Sequence, residues 1–109
     1  MTPETRAAVR KGLKYLAGRQ NEDGSFGRGN YSRNVAICAL GGMAFMAGGG
    51  TPGRGPYGRN VARCVQFLLD AKQESGFISV GEAASHGPMY GHGFATLFLA
   101  ECYGMTPDS

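Results

Sequence analysis

The sequence predicts an all-α fold of four main helices arranged as two helical hairpins, each with an amphipathic outer and an apolar inner member. Three observations carry this. Amphipathic and wholly apolar stretches alternate along the chain in the order amphipathic, apolar, amphipathic, apolar. Each stretch is bounded by helix start or stop signals. The third stretch repeats the first, Val61 standing 52 residues after Val9.

The first helix opens at Thr2-Pro3-Glu4. Thr2 suits an N-cap, Pro3 is pre-set for the first turn, and Glu4 is favoured by the helix dipole. At about 100° per residue, Val9, Gly12, Leu13 and Leu16 fall on one face, with Arg10, Lys11 and Lys14 opposite. The helix is expected to reach about Arg19. Gln20 lands on the apolar face, where a buried amide needs hydrogen-bond partners from the following turn or a neighbouring helix. Asn21-Glu22-Asp23-Gly24 is turn chemistry, with Gly24 suited to positive φ. Phe26 can then tuck its ring beneath the turn.

From Val35 to Ala47 no side chain is polar. That run predicts a helix buried on all sides, capped by Ser32 or Asn34 and too short to cross a bilayer. Gly48-Gly49-Gly50 ends it. Residues 48–58 form a Gly/Pro loop near Arg54 and Arg59. Its backbone amides could hold an anion, but the Walker spacing and its terminal Lys-Ser/Thr are missing, which favours a connector.

The third helix is expected from about Asn60 to Lys72. Val61, Cys64, Val65, Phe67 and Leu68 match Val9, Gly12, Leu13, Tyr15 and Leu16. Gly76 matches Gly24, and Phe77 or Ile78 takes the place of Phe26. Lys72 stands where Gln20 stands in the first copy, so this copy is weak alone. Residues 79–90 read as a loop, with a short turn at Val80–Ala84. The fourth helix is expected from about Gly91 to Tyr103, with Gly104 and Pro107 as its stop.

Read as spacing, Lys11 to Phe26 is K-G-x2-Y-L-x3-Q-x3-G-x-F. It resembles the QW motif of the squalene and hopene cyclases and of the related bacterial-type prenyltransferase/squalene-oxidase repeats, with Phe26 where those most often carry Trp. Lys11, Gly12, Tyr15, Leu16, Gln20, Gly24 and Phe26 match in register. An ordinary amphipathic helix ended by a glycine turn would account for the stripe and Gly24, but not for the amide followed six residues later by an aromatic. The resemblance implies that the hairpins, about 2–50 and 58–105, are repeats of an α/α toroid with inner helices around a central cavity. Two hairpins are too few to close that ring, so residues 1–109 are expected to form one partial toroid domain. Its partners would be the remaining repeats, or further copies joined through the inner helices.

The inner helices give this expectation its energetic content. Alone, they would leave water facing some of Ile37, Leu40, Met43, Phe45, Phe94, Leu97 and Phe98. At ~1.5–3 kcal/mol per large side chain left unburied, a few of these rival a domain's whole stability of ~5–15 kcal/mol. The chain is therefore expected to be either the amino-terminal piece of a longer protein or a protomer completed by association.

The candidate ligand residues lie where the inner helices begin: Tyr31, Arg33, Asn34, His86, Tyr90 and His92. Helix N-termini offer unsatisfied N–H groups and partial positive charge, which suit a diphosphate or another anionic headgroup. The plainer alternative is loop packing for Arg33 and the tyrosines, and capping or loop bonding for the histidines. His86 and His92 lack helical metal spacing, and no metal or other cofactor is expected.

Three functions compete. One is a catalytically incomplete toroid segment serving as scaffold or as binder of a hydrophobic or isoprenoid ligand. Another is the N-terminal part of an active isoprenoid cyclase or prenyltransferase. The last is a self-assembling helical-repeat interaction module. A cyclase would need a D-x-D-D acid run and a protein prenyltransferase an Asp/Cys/His zinc set. Neither stands in these residues, nor does the Gly-Cys-Gly-Glu-Gln thioester motif of complement-type toroids. No catalytic residue is therefore assigned. The net charge of +3 is too modest to argue for nucleic acid, and Arg6, Arg10, Lys11 and Lys14 read as a solvated helix face. No stretch reads as a signal peptide or a transmembrane span. Cys38, Cys64 and Cys102 fall on apolar faces without a CxxC pair. That pattern suggests core thiols in a reducing compartment, hence a cytoplasmic location, with peripheral membrane association left open.

Overall fold

The computed structural model describes residues 2–26, 34–73, 75–76, 78 and 88–105, with the side chains of Pro88, Met89, Tyr90 and Met105 excepted. Four α-helices follow one another: α1 (Pro3–Arg19), α2 (Val35–Ala47), α3 (Gly58–Ala71) and α4 (Pro88–Met105). Among the described residues there is no sheet, only isolated β-bridges at Gln20–Phe26, Thr51–Arg54 and Lys72–Ile78.

α2 is the hub. It packs broadly against both α3 and α4 and touches α1 along a short line. Two adjacent glycines permit this closeness. A Cβ at Gly41 would stand 2.6 Å from the Phe26 ring, and one at Gly42 would collide with the ring of Phe98 from α4. Around them Phe26, Phe45 and Tyr57 form a row, with ring centroids 6.2 and 5.2 Å apart. Val61, Cys64, Phe67 and Leu68 of α3, together with Ala95, Phe98 and Cys102 of α4, complete one buried cluster.

Local chemistry explains the helix ends. Thr2 caps α1, its hydroxyl oxygen accepting the Thr5 N–H at 3.1 Å. Asn34 caps α2, its side-chain oxygen accepting the Ile37 N–H at 3.0 Å. α3 begins two residues before the expected Asn60 and lacks a side-chain cap. α4 begins at Pro88, inside the stretch expected to be loop, because proline's fixed φ suits a first helical turn as well as a loop. It also runs through Gly104 to Met105. Glycine lowers helix propensity by about 1 kcal/mol, too little to stop a helix by itself. The expected turn at Val80–Ala84 lies outside the described residues.

Two burial expectations need correction. On α1, Leu13 is the buried residue, while Val9 is 45% exposed and Gly12 also faces solvent. The stripe is present in the sequence, but among the described residues the buried contact comes from the C-terminal half of α1, where Leu13 reaches the backbone at Gly48. α2 is not buried on all sides, since Leu40 is 48% exposed. Its neighbours cover three flanks and leave the fourth open. No helix among the described residues is long and apolar enough to cross a membrane.

Candidate functional site

The turn after α1 is a dense polar node. The Gln20 amide donates from Nε2 to the carbonyls of Gly24 (3.0 Å) and Asn60 (3.2 Å), and lies 3.3 Å from the Cys64 sulfur. In return Asn60 Nδ2 donates to Gln20 Oε1 at 2.8 Å. One side chain thus ties the end of α1 to the turn and to the first turns of α3. Gly24 sits at φ 97°, and a Cβ there would strike the Arg63 carbonyl. Fully buried Ser25 is satisfied by Asp23, donating its hydroxyl at 2.6 Å and its N–H at 2.9 Å to Oδ1. Of the other residues matched to the repeat motif, buried Phe26 closes the turn by a bridge to Gln20, and the rest do not join this node. Lys11, Gly12 and Tyr15 are exposed, Tyr15 lying under the Arg19 guanidinium at 4.9 Å, and Leu16 is half-buried.

The second copy reproduces the backbone without the amide. Lys72 bridges to Ile78 as Gln20 does to Phe26, and Gly76 has φ 95°. Ile78, rather than Phe77, therefore occupies the Phe26 position. Lys72 is exposed, so among the described residues no buried amide stands at the Gln20 position of this turn.

The residues expected at the cavity mouth are only partly placed. Tyr31, Arg33, His86 and the Tyr90 side chain lie outside what is described. Asn34 is engaged as the α2 cap. His92 lies in the second turn of α4 rather than at its start, and its Nδ1 accepts the Ile78 N–H at 3.2 Å. These bonds tie helices to their connections. In the Gly/Pro loop the amides of Gly50, Thr51, Gly53 and Arg54 donate to Phe45, Arg54, Gly58 and Thr51 carbonyls. Those donors are spent within the loop, which leaves little of an anion nest.

The cysteines divide into two environments. Cys38 of α2 and Cys64 of α3 are fully buried, and both thiols approach the Gly24 carbonyl, at 3.5 and 3.9 Å. The hydrogen bond with Cys64 and then burial push the Cys38 thiol far above the ordinary thiol range. Burial pushes Cys102 up to about 11. Both thiols stay protonated near neutrality and are poor nucleophiles. Among the described residues no group of three His, Cys, Asp or Glu side chains is placed to hold a metal ion.

The feature that sequence reasoning missed is a cleft between α2 and α4. It has a volume of about 320 Å³ and is lined by Met43, Met46, Ala47, Leu97 and Glu101. Leu40, Phe94 and Leu97 on the same two helices are exposed by 48, 37 and 49%. Phe45 and Phe98, which had been grouped with them, are fully buried. The Met43/Met46 spacing was the available signal, since residues three apart share a helix face.

Comparisons with protein-family models, with curated proteins and with solved structures found no match for this chain.

Proposed function

We propose that the chain is a QW-repeat segment of an α/α toroid, a catalytically incomplete scaffold that offers the α2–α4 cleft to an apolar ligand such as an isoprenoid chain. The observation that carries this is the open flank of the inner helices. The cleft between α2 and α4 is walled mainly by methionine and leucine, with exposed Leu40, Phe94 and Leu97 on the same helices. Apolar surface of this kind on adjoining helices marks a binding or association face. The repeated glycine turns at Gly24 and Gly76 support the repeat reading, because both turns close the same bridge after an outer helix.

The cleft supplies binding rather than chemistry. Protonating an alkene requires a carboxylic acid aimed into a dry cavity. The carboxylate at this cleft belongs to Glu101, which is exposed. Titration with a long-chain isoprenoid alcohol, followed by tyrosine fluorescence or calorimetry, tests the reading. Saturable binding that Leu97→Glu weakens by about tenfold or more, ~1.4 kcal/mol, supports it. Absence of binding, or equal binding by the variant, removes the ligand role.

A further inference from the structure

The internal repeat is written in burial as well as in sequence. α3 is held by α2 and by the first glycine turn. Its Val61, Cys64, Phe67 and Leu68 are buried. The Cys64 carbonyl accepts the Cys38 thiol of α2 at 3.8 Å, and the Asn60 carbonyl accepts the Gln20 amide at 3.2 Å. The Arg63 carbonyl lies so close to Gly24 that a Cβ there would strike it. The same repeat positions on α1 are Val9, Gly12, Tyr15 and Leu16, of which the first three are exposed and Leu16 is half-buried. The other end of the molecule shows the converse. Gly76 repeats the turn of Gly24, with φ 95° against 97°, yet among the described residues nothing lies within 4 Å of a Cβ there. α4 buries Ala95, Phe98 and Cys102, and leaves Gly93, Thr96 and Ala100 exposed on a neighbouring face, none of them lining the cleft.

We infer that copies of this chain join head to tail, α1 of one copy packing on α4 and the second glycine turn of another as α3 packs on α2 and the first. The inference rests on the repeat reading above, not on the apolar ligand. Each half of the contact is already displayed inside the molecule, so the new interface continues the α2–α3 interface by one further repeat. In register, Lys11 of the incoming α1 stands where Arg63 does, and its carbonyl meets open Gly76. Ala8 takes the place of Asn60, within reach of Lys72, which carries an ammonium donor where Gln20 carries an amide. Charge favours the same pairing. α1 carries Arg6, Arg10, Lys11, Lys14 and Arg19 against Glu4, whereas the charged residue of α4 is Glu101. A contact between two different faces is heterologous, so each copy keeps one face of either kind for the next.

The test is sedimentation velocity of the whole chain from micromolar to millimolar concentration, on wild type, Val9→Arg, Ala100→Arg and an equimolar mixture of the two variants. Both positions are exposed and arginine is a good helix former, so both variants should fold, as circular dichroism can verify. Wild type should grow beyond a dimer as concentration rises. Each variant alone should stay monomeric, because every junction would bury an unpaired charge. The mixture should form a heterodimer and stop there, since Val9→Arg keeps a sound α4 and Ala100→Arg a sound α1. A wild-type monomer across the range overturns the inference and leaves these faces to further hairpins of a longer chain. Self-association of either variant as in wild type also overturns it, and would place the contact at the α2–α4 cleft. A mixture that stays monomeric overturns it too. Isoprenoid binding is independent of all these outcomes, because neither Val9 nor Ala100 lines the cleft.

Discussion

Replacing Gln20 with alanine removes a side chain that joins α1, the glycine turn and α3. The deletion takes away the donor to the Gly24 and Asn60 carbonyls and the acceptor of Asn60 Nδ2. Gly24 keeps two weak thiol donors, from Cys38 and Cys64. Asn60, half-buried on α3, loses its 2.8 Å partner. Three neutral hydrogen bonds at about 1 kcal/mol each, the one to Gly24 partly replaced by the two thiols, give a cost of ~2 kcal/mol, within a range of ~1–3. In a domain of this size that corresponds to a fall in Tm of roughly 8–16 °C. Urea unfolding followed by far-ultraviolet circular dichroism measures it. Lys72→Ala is the internal control, at the equivalent position of the second copy. Lys72 is exposed, so its loss should cost less than ~0.5 kcal/mol. Equal effects at the two positions would refute the assignment of the node to the Gln20 amide.

Other perturbations test other joints of the fold. Gly42→Ala forces a methyl group into the Phe98 ring and should cost ~1–3 kcal/mol by overpacking, whereas Gly93→Ala, with open space around it, should be neutral or stabilising by thermal melt. Gly24→Ala combines positive φ with a backbone clash against Arg63, and its loss in urea should exceed that of Gly76→Ala, which has positive φ but no neighbour. Alkaline pH should destabilise the fold. Cys102 rises from 9.0 to about 11 on folding, so its contribution is whole below pH 9 and is lost between 9 and 11, as the unfolded chain gives up a proton that the folded one keeps. Cys38 shifts in the same direction. The loss of stability across that window should be shallower in Cys102→Ala, and an equally steep loss would exclude Cys102 as its source.

Much of the fold was legible in the residues. The apolar run from Val35 to Ala47 coincides with α2, because its start is set by the Asn34 cap and its end by three glycines. Thr2, Pro3 and Gln20 mark α1 in the same local way. What failed was what depends on neighbours. Periodicity placed Val9 and Leu13 on one face, yet only Leu13 meets another element. Residues 88–90 read as loop and Gly104 as part of a stop, yet α4 begins at Pro88 and runs through Gly104. The cleft was only faintly legible, in the Met43/Met46 spacing, because it depends on Gly42 admitting the Phe98 ring where α2 packs beside α4. The Gln20 node was partly legible: a buried amide announced a need for partners, but Asn60, 40 residues away, carried no local sign of being one.

The central claim is that the inner helices present an apolar face to a ligand or to further hairpins. Its most direct measurement is the binding of an environment-sensitive hydrophobic dye to the purified chain, with sedimentation velocity on the same samples. The account predicts dye binding or self-association for wild type, and a clear loss of both in a Leu40→Lys/Leu97→Lys double variant that keeps its helical content. A monodisperse, dye-silent wild-type monomer would contradict it.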